Sequence, residues 1–155
     1  MGKKNREIRK TLKDLGNLKY IEVRNVPFRA LPDYGDAVSA QVLSEIELGI
    51  VRVLILRRFK IRGQEVEFIR RGFALSQREF ASRLGLSHVS VLKWERASTR
   101  PLDVVNEVAV KALAAGLLRM NLPASIEALS GQAEIPERWI LDYRELRDSV
   151  SAGAA

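Results

Sequence analysis

Residues 75–101 read LSQREFASRLGLSHVSVLKWERASTRP. Ser76, with Glu79 three positions on, forms a capping box in which each side chain satisfies the other residue's backbone N–H. Phe80, Ala81 and Leu84 follow at helical spacing, and Gly85 supplies the left-handed residue that ends a helix without a Cβ penalty. Ser87 caps a next helix whose inner face is Val91 and Trp94. The turn between the helices is three or four residues long. Two helices that close together must brace each other, which leaves the second free to project outward.

The charge is concentrated on the same region. The chain has 155 residues, 46% of them hydrophobic, with a net charge of +7 and a pI near 10.0. Residues 51–100 carry 12 cations and 4 anions, and residues 1–24 carry 8 and 3; the remainder carries 6 and 12. That distribution points to an anionic partner, nucleic acid before a membrane surface. A helix-turn-helix placed in the basic stretch suits double-stranded DNA, with the second helix in the major groove. There is no cysteine and a single histidine, His88, so a disulfide is impossible and a protein-built metal site is not expected. No cofactor is expected. The longest apolar run, residues 53–56, is far short of a bilayer span, and the basic N-terminus lacks the apolar stretch of a secretory signal. The expected location is cytoplasmic, with no membrane partner.

Outward from the quoted stretch, residues 63–73 place Val66, Ile69 and Phe73 on one helical face. Pro101 opens the following segment, with Asp103 in its first turn and Val104, Val108, Ala112 and Ala115 at i, i+4, i+8 and i+11. Pro123 breaks the chain, and a last helix is expected over residues 136–150 with Ile140, Tyr143 and Leu146 as its stripe. Toward the N-terminus, residues 37–58 read as one long helix or two joined near Gly49. Residues 31–36, LPDYGD, are turn chemistry, and residues 18–30 alternate as one or two short strands. Ile8, Leu12 and Leu15 recur at helical spacing, which predicts a frayed amphipathic helix or flexible arm over residues 1–17.

Residues 63–118 resemble the Xre/Cro, lambda-repressor-like DNA-binding domain. The resemblance is carried by the Leu-Ser-Gln entry, the Phe-Ala pair, Leu-Gly, the Ser cap, the Trp-Glu-Arg exit and the closing Arg-Pro. It implies that Gln77 bonds a phosphate or a base edge and that Ser87, His88, Val89, Ser90 and Lys93 face the groove. Lys93 would donate to guanine, and Val89 would touch a thymine methyl. Arg78, Arg83, Arg96 and Arg100 are candidates for phosphates, and Leu92 is apolar on a partly exposed face. Arg70 and Glu95 match the family's ion pair between its first and third helices, a structural role.

Upstream, residues 23–36 (VRNVPFRALPDYGD) resemble the second half of a YgiT-type zinc finger, which precedes an Xre-type domain in MqsA-type antitoxins. Residues 58–77 resemble that family's linker and first helix, so the combined order extends over about residues 20–118. Val26, Pro27, Pro32 and Gly35 are in frame, but Leu31 and Tyr34 stand at the two metal positions. If the small unit persists, apolar packing around those two residues must replace the metal, and the unit must lean on the 37–58 helix. A structural zinc supplies roughly 10–16 kcal/mol in finger peptides, and a buried Leu or Tyr only about 1.5–3 kcal/mol.

The expected fold is mainly α: a lambda-repressor-like helix-turn-helix domain with a small N-terminal β-containing segment and additional C-terminal helices. The expected divisions are a basic arm (1–17), a degenerate zinc-finger-like segment with a linker helix (18–58), the DNA-binding domain (59–120) and a C-terminal helical extension (121–155). The expected function is a dimeric, sequence-specific transcriptional regulator. The segment order suggests the antitoxin of a type II pair that neutralises a cognate toxin and represses its own operon. The alternatives are a stand-alone Xre-type repressor and a protein-interaction module on the same fold. An enzyme is disfavoured: no cysteine nucleophile, GxGxxG or GK[ST] phosphate loop occurs, and the pairs Glu45/Glu47 and Glu65/Glu67 lie two apart, on different helical faces.

Overall fold

The computed structural model describes residues 6–123 and 125–152. Three strands come first: β1 (Glu7–Leu15), β2 (Leu18–Leu31) and β3 (Gly35–Ala37). Five helices follow: α1 (Ala40–Leu56), α2 (Gly63–Gly72), α3 (Gln77–Leu84), α4 (His88–Arg96) and α5 (Val104–Leu117). The chain then forms the short α6 (Ile126–Leu129), strand β4 (Trp139–Asp142) and α7 (Tyr143–Ala152). The four strands form one mixed sheet, with β1 and β3 antiparallel to β2 and β4 parallel to it. The expectation of a mainly α chain is thereby overturned: a four-stranded sheet is a full layer of the structure.

Two local readings failed for identifiable reasons. The predicted helix or arm at the N-terminus is strand β1, with residues 1–5 outside the described part. Its pairing with β2 shifts register twice, between Lys10 and Leu12 and between Lys13 and Leu15. Asn25 and Asp14 take left-handed φ values of 60° and 55° at these shifts. Such irregularities reset the alternation of faces, so Leu12 and Leu15 both reach the core despite an odd offset that imitates a helix. The second failure is the helix expected over residues 136–150, whose first part is β4. Trp139 and Leu141 point in while Ile140 is exposed, a period of two. Parallel pairing with Ile21–Arg24 depends on a crossover through every helix from α1 to α6, which no local pattern announces.

β2 carries Pro27 in its middle. Its residues 21–24 pair with β4 and 29–31 with β3. Between these, β2 has a strand partner only in β1, a gap that accommodates a residue lacking an N–H. The turn over residues 32–34 forms as read, with Gly35 at φ 76°. The packing expected around Leu31 and Tyr34 does not occur: Tyr34 is 86% exposed and Leu31 39%. The sheet is held instead by Leu18, Ile21, Val23 and Val26, with Trp139 and Leu141 from β4. Trp139 meets Phe59 edge-on at 5.2 Å.

α1 is one helix, with Ser39 as its cap. Its β-branched run is tolerated because Ile46, Ile50, Val51, Leu54 and Ile55 are all buried. Gly49 lies against Leu146 of α7 so closely that a Cβ would fall 2.9 Å from the Leu146 Cβ. One apolar cluster runs from the sheet through α1 and α7 to α2–α5.

Two charged residues of α5, Glu107 and Lys111, are buried in that interior. Glu107 accepts the Ile61 N–H at 2.9 Å and also the Gly131 N–H. Lys111 donates to the Phe59 carbonyl at 2.5 Å and stands 3.8 Å from Glu107. Burial pulls the Lys111 ammonium down to about 8, with Arg58 adding to the effect and Glu107 opposing it. Between that value and the ordinary 10.5, the unfolded chain holds a proton that the folded chain has released. The unfolding free energy therefore rises with pH through this window. Urea titrations at pH 8 and 9.5 should show the midpoint increasing, and Lys111→Met should remove the increase. Above pH 10, Tyr20 and Tyr143, both held protonated mainly by burial, reverse the trend.

Candidate nucleic-acid interface

The helix pair forms as its residues dictate. Ser76 Oγ accepts the Glu79 N–H at 3.1 Å, and Glu79 accepts the Ser76 N–H at 2.7 Å. Those hydrogen bonds hold the Glu79 carboxyl below its ordinary range. α3 stops at Gly85, whose φ is 71°. Ser87 precedes α4 in an extended conformation, but its hydroxyl faces Ser90 Oγ at 3.4 Å and does not close the cap. Phe80, Ala81 and Val91 are buried in the same apolar cluster as Val66 and Ile69 of α2.

α4 is held at its C-terminal end. Arg70 on α2 grips Glu95, with Nη2 at 2.6 Å and Nε at 3.1 Å from Oε1, and its Nη1 donates to the Leu75 carbonyl at 2.9 Å. Gln77 joins this cluster, donating from Nε2 to Glu95 at 3.0 Å. Its amide nitrogen is thus directed into the protein, not outward as the resemblance implied. Beyond α4, the Ala97–Arg100 turn serves the N-terminus of α2: Gln64 donates to the Ser98 carbonyl at 2.9 Å and Gly63 to the Arg100 carbonyl at 3.2 Å. Only a glycine fits there, because a Cβ on residue 63 would lie 1.8 Å from the Trp94 carbonyl oxygen.

The face of α4 turned away from this packing carries the residues singled out earlier. Val89 is 44% exposed, Lys93 and Arg96 are exposed, and His88, Ser90 and Leu92 are half-buried. Arg78 on α3 and Arg100 after α4 are exposed, and neither they nor Lys93 and Arg96 make an ion pair among the described residues. Arg83 differs slightly, interacting with Glu79. By contrast, Arg62, Arg70, Arg71, Arg138 and Arg144 are all paired with carboxylates. A groove of about 470 Å³ runs beside α4, between it and the start of α5.

The sheet is joined to this unit at α2. Asn17 donates to the Gln64 carbonyl at 2.8 Å, and the Arg62 guanidinium lies 5.4 Å from the centre of the Tyr20 ring. Arg62 in turn bonds Glu65 at 2.7 Å. Burial raises Glu65, and the neighbouring Arg62 opposes that shift. The residues that sequence reasoning missed are Gly63 and, in the lining of the groove, Ala97, Leu102 and Asn106. Gly63 looked like an ordinary helix start, and its constraint comes from a carbonyl 31 positions away. Among the described residues, no cluster of His, Asp and Glu has the makings of a metal site, and no helix is long and apolar enough to cross a membrane.

No family model matches the chain, and neither does any curated protein or solved structure.

Proposed function

We propose that the chain is a sequence-specific DNA-binding regulator that acts as a dimer, with α4 as its reading helix. The observation that carries this is an exposed flank of α4 with cations on it and next to it that make no ion pair among the described residues. A phosphate can be contacted there without breaking an existing ion pair, which keeps the counterion-release gain intact. Lys93, midway along α4, is the base reader, with His88 and Val89 beside it; Arg78, Arg96 and Arg100 take phosphates. A two-fold dimer would read half-sites about one helical turn apart. The antitoxin role rests on the segment order, and the exposed Leu31 and Tyr34 at the β2–β3 turn give a partner protein an apolar foothold. Co-purification with a small basic protein encoded beside the gene tests that part.

Selection of bound duplexes from a random pool, followed by competition with unselected duplex, tests the DNA reading. Lys93→Ala is expected to lose about 1–3 kcal/mol of discrimination at one base position. Arg78→Ala is expected to weaken binding on all sequences alike and to lower the salt slope by about one. Selection that enriches no sequence would overturn the proposal.

A further inference from the structure

The groove beside α4 is built differently from a bare phosphate contact. Its size falls within the roughly 300–1,000 Å³ range of small-molecule sites. Trp94, Pro101 and Leu102 give it an apolar wall, and Lys93 and Arg100 stand on it without ion pairs among the described residues. Asn106 spends its amide nitrogen on Asp103 at 3.0 Å, which leaves its carbonyl oxygen as an acceptor. Asp103 fills the α5 N-terminus by accepting the Asn106 N–H at 3.0 Å, so that terminus is not free for an anion.

We infer that this groove binds a small aromatic phosphate ester, of the mononucleotide class, and that its occupation excludes duplex DNA. The second half rests on the function proposed above; the first does not. The charge places the ligand. The Asp103 carboxylate repels a phosphate at the α5 end, so the phosphate lies with Lys93 and Arg100, where a guanidinium offers a two-pronged donor. The ring then lies along Trp94 and Pro101, where stacking on an indole is favourable for any base. The Asn106 carbonyl oxygen is positioned to accept from a base amino group. Because Lys93 and Arg100 serve both the groove and the proposed DNA face, one ligand must displace the other. Small molecule and duplex are then negatively coupled.

The experiment titrates the full-length protein with adenosine monophosphate, adenosine and inorganic phosphate in turn, reading tryptophan fluorescence. Of the two tryptophans, Trp139 is buried in the sheet, so a change reports on Trp94. The expected result is a saturable change with adenosine monophosphate and weaker binding of each part alone. Arg100→Gln should bind at least about ten-fold more weakly. Arg71→Gln, which removes a surface pair with Glu67 away from the groove, should bind as the unaltered chain does. Inorganic phosphate binding as tightly as the nucleotide, or Arg100→Gln binding equally well, would overturn the inference, as would the absence of saturation. A nucleotide that binds but leaves a bound duplex in place would overturn the exclusion. If the nucleotide binds while selection yields no duplex, the site stands and the DNA reading falls.

Discussion

Gly63→Ala is expected to destabilise the fold by about 3 kcal/mol or more and to abolish any activity of α4. The added methyl would sit 1.8 Å from the Trp94 carbonyl oxygen and 2.8 Å from that of Ala97. Both obstacles are backbone, and backbone at the end of a packed helix cannot step aside as a side-chain tip can. Inserting one carbon into a closely packed site costs about 1–3 kcal/mol even when neighbours adjust. Here the adjustment must push the C-terminal end of α4 off α2, against the grip of Arg70 on Glu95. Urea unfolding measures the loss. Gly116→Ala is the matched control: it is the same chemical change inside a helix, with nothing within 4 Å of the new methyl. It is expected to stabilise by roughly 0.5–1 kcal/mol, the ordinary preference for Ala over Gly in a helix. If the two substitutions gave similar small effects, the close approach of α2 and α4 would be refuted.

Glu107→Ala is the second large effect, expected at roughly 3–5 kcal/mol, the range for removing one partner of a buried charged pair. Three groups depend on this carboxylate: the N–H of Ile61, the N–H of Gly131 and the ammonium of Lys111. The first two lie in separate segments that bridge α1 to α2 and α6 to β4. Glu107 thus ties three parts of the chain through one side chain. Lys111→Met added to Glu107→Ala should recover part of the loss, because no unpaired charge then stays buried. A double-mutant cycle in urea measures that coupling. A cost below about 1 kcal/mol for Glu107→Ala would mean that water reaches the pair.

Both positions show where sequence reasoning stops. Gly63 reads as a helix start, and the pattern read over α5 names Val104, Val108, Ala112 and Ala115 but neither Glu107 nor Lys111. α5 buries both charges beside Val110, Ala114 and Ala115, while Val104, which opens the stripe read from the sequence, is 54% exposed and Val105 is 75% exposed. The buried carboxylate satisfies backbone groups far away in sequence, and only the assembled chain shows that those groups need it. The Arg70–Glu95 pair, in contrast, was legible through the resemblance, because motif spacing places both residues on facing helices.

Residues 75–101 carry their own instructions. A capping box, a glycine able to take positive φ and two short apolar stripes specify helix, turn and helix through contacts a few residues apart. The outward set on α4 was implied by the resemblance, and of its members on the helix Val89 and Lys93 are exposed while His88 and Ser90 are half-buried. The sheet is another matter. β1 imitates a helix until its register shifts against β2 are known, and β4 becomes a strand because β2 offers it a parallel edge 118 residues earlier along the chain. Hydrogen bonding between strands joins partners that are remote in sequence, so the pattern within either strand is half of a pair. The direction Gln77 turns, the glycine demanded at residue 63 and the groove beside Trp94 likewise arise only where separate segments meet.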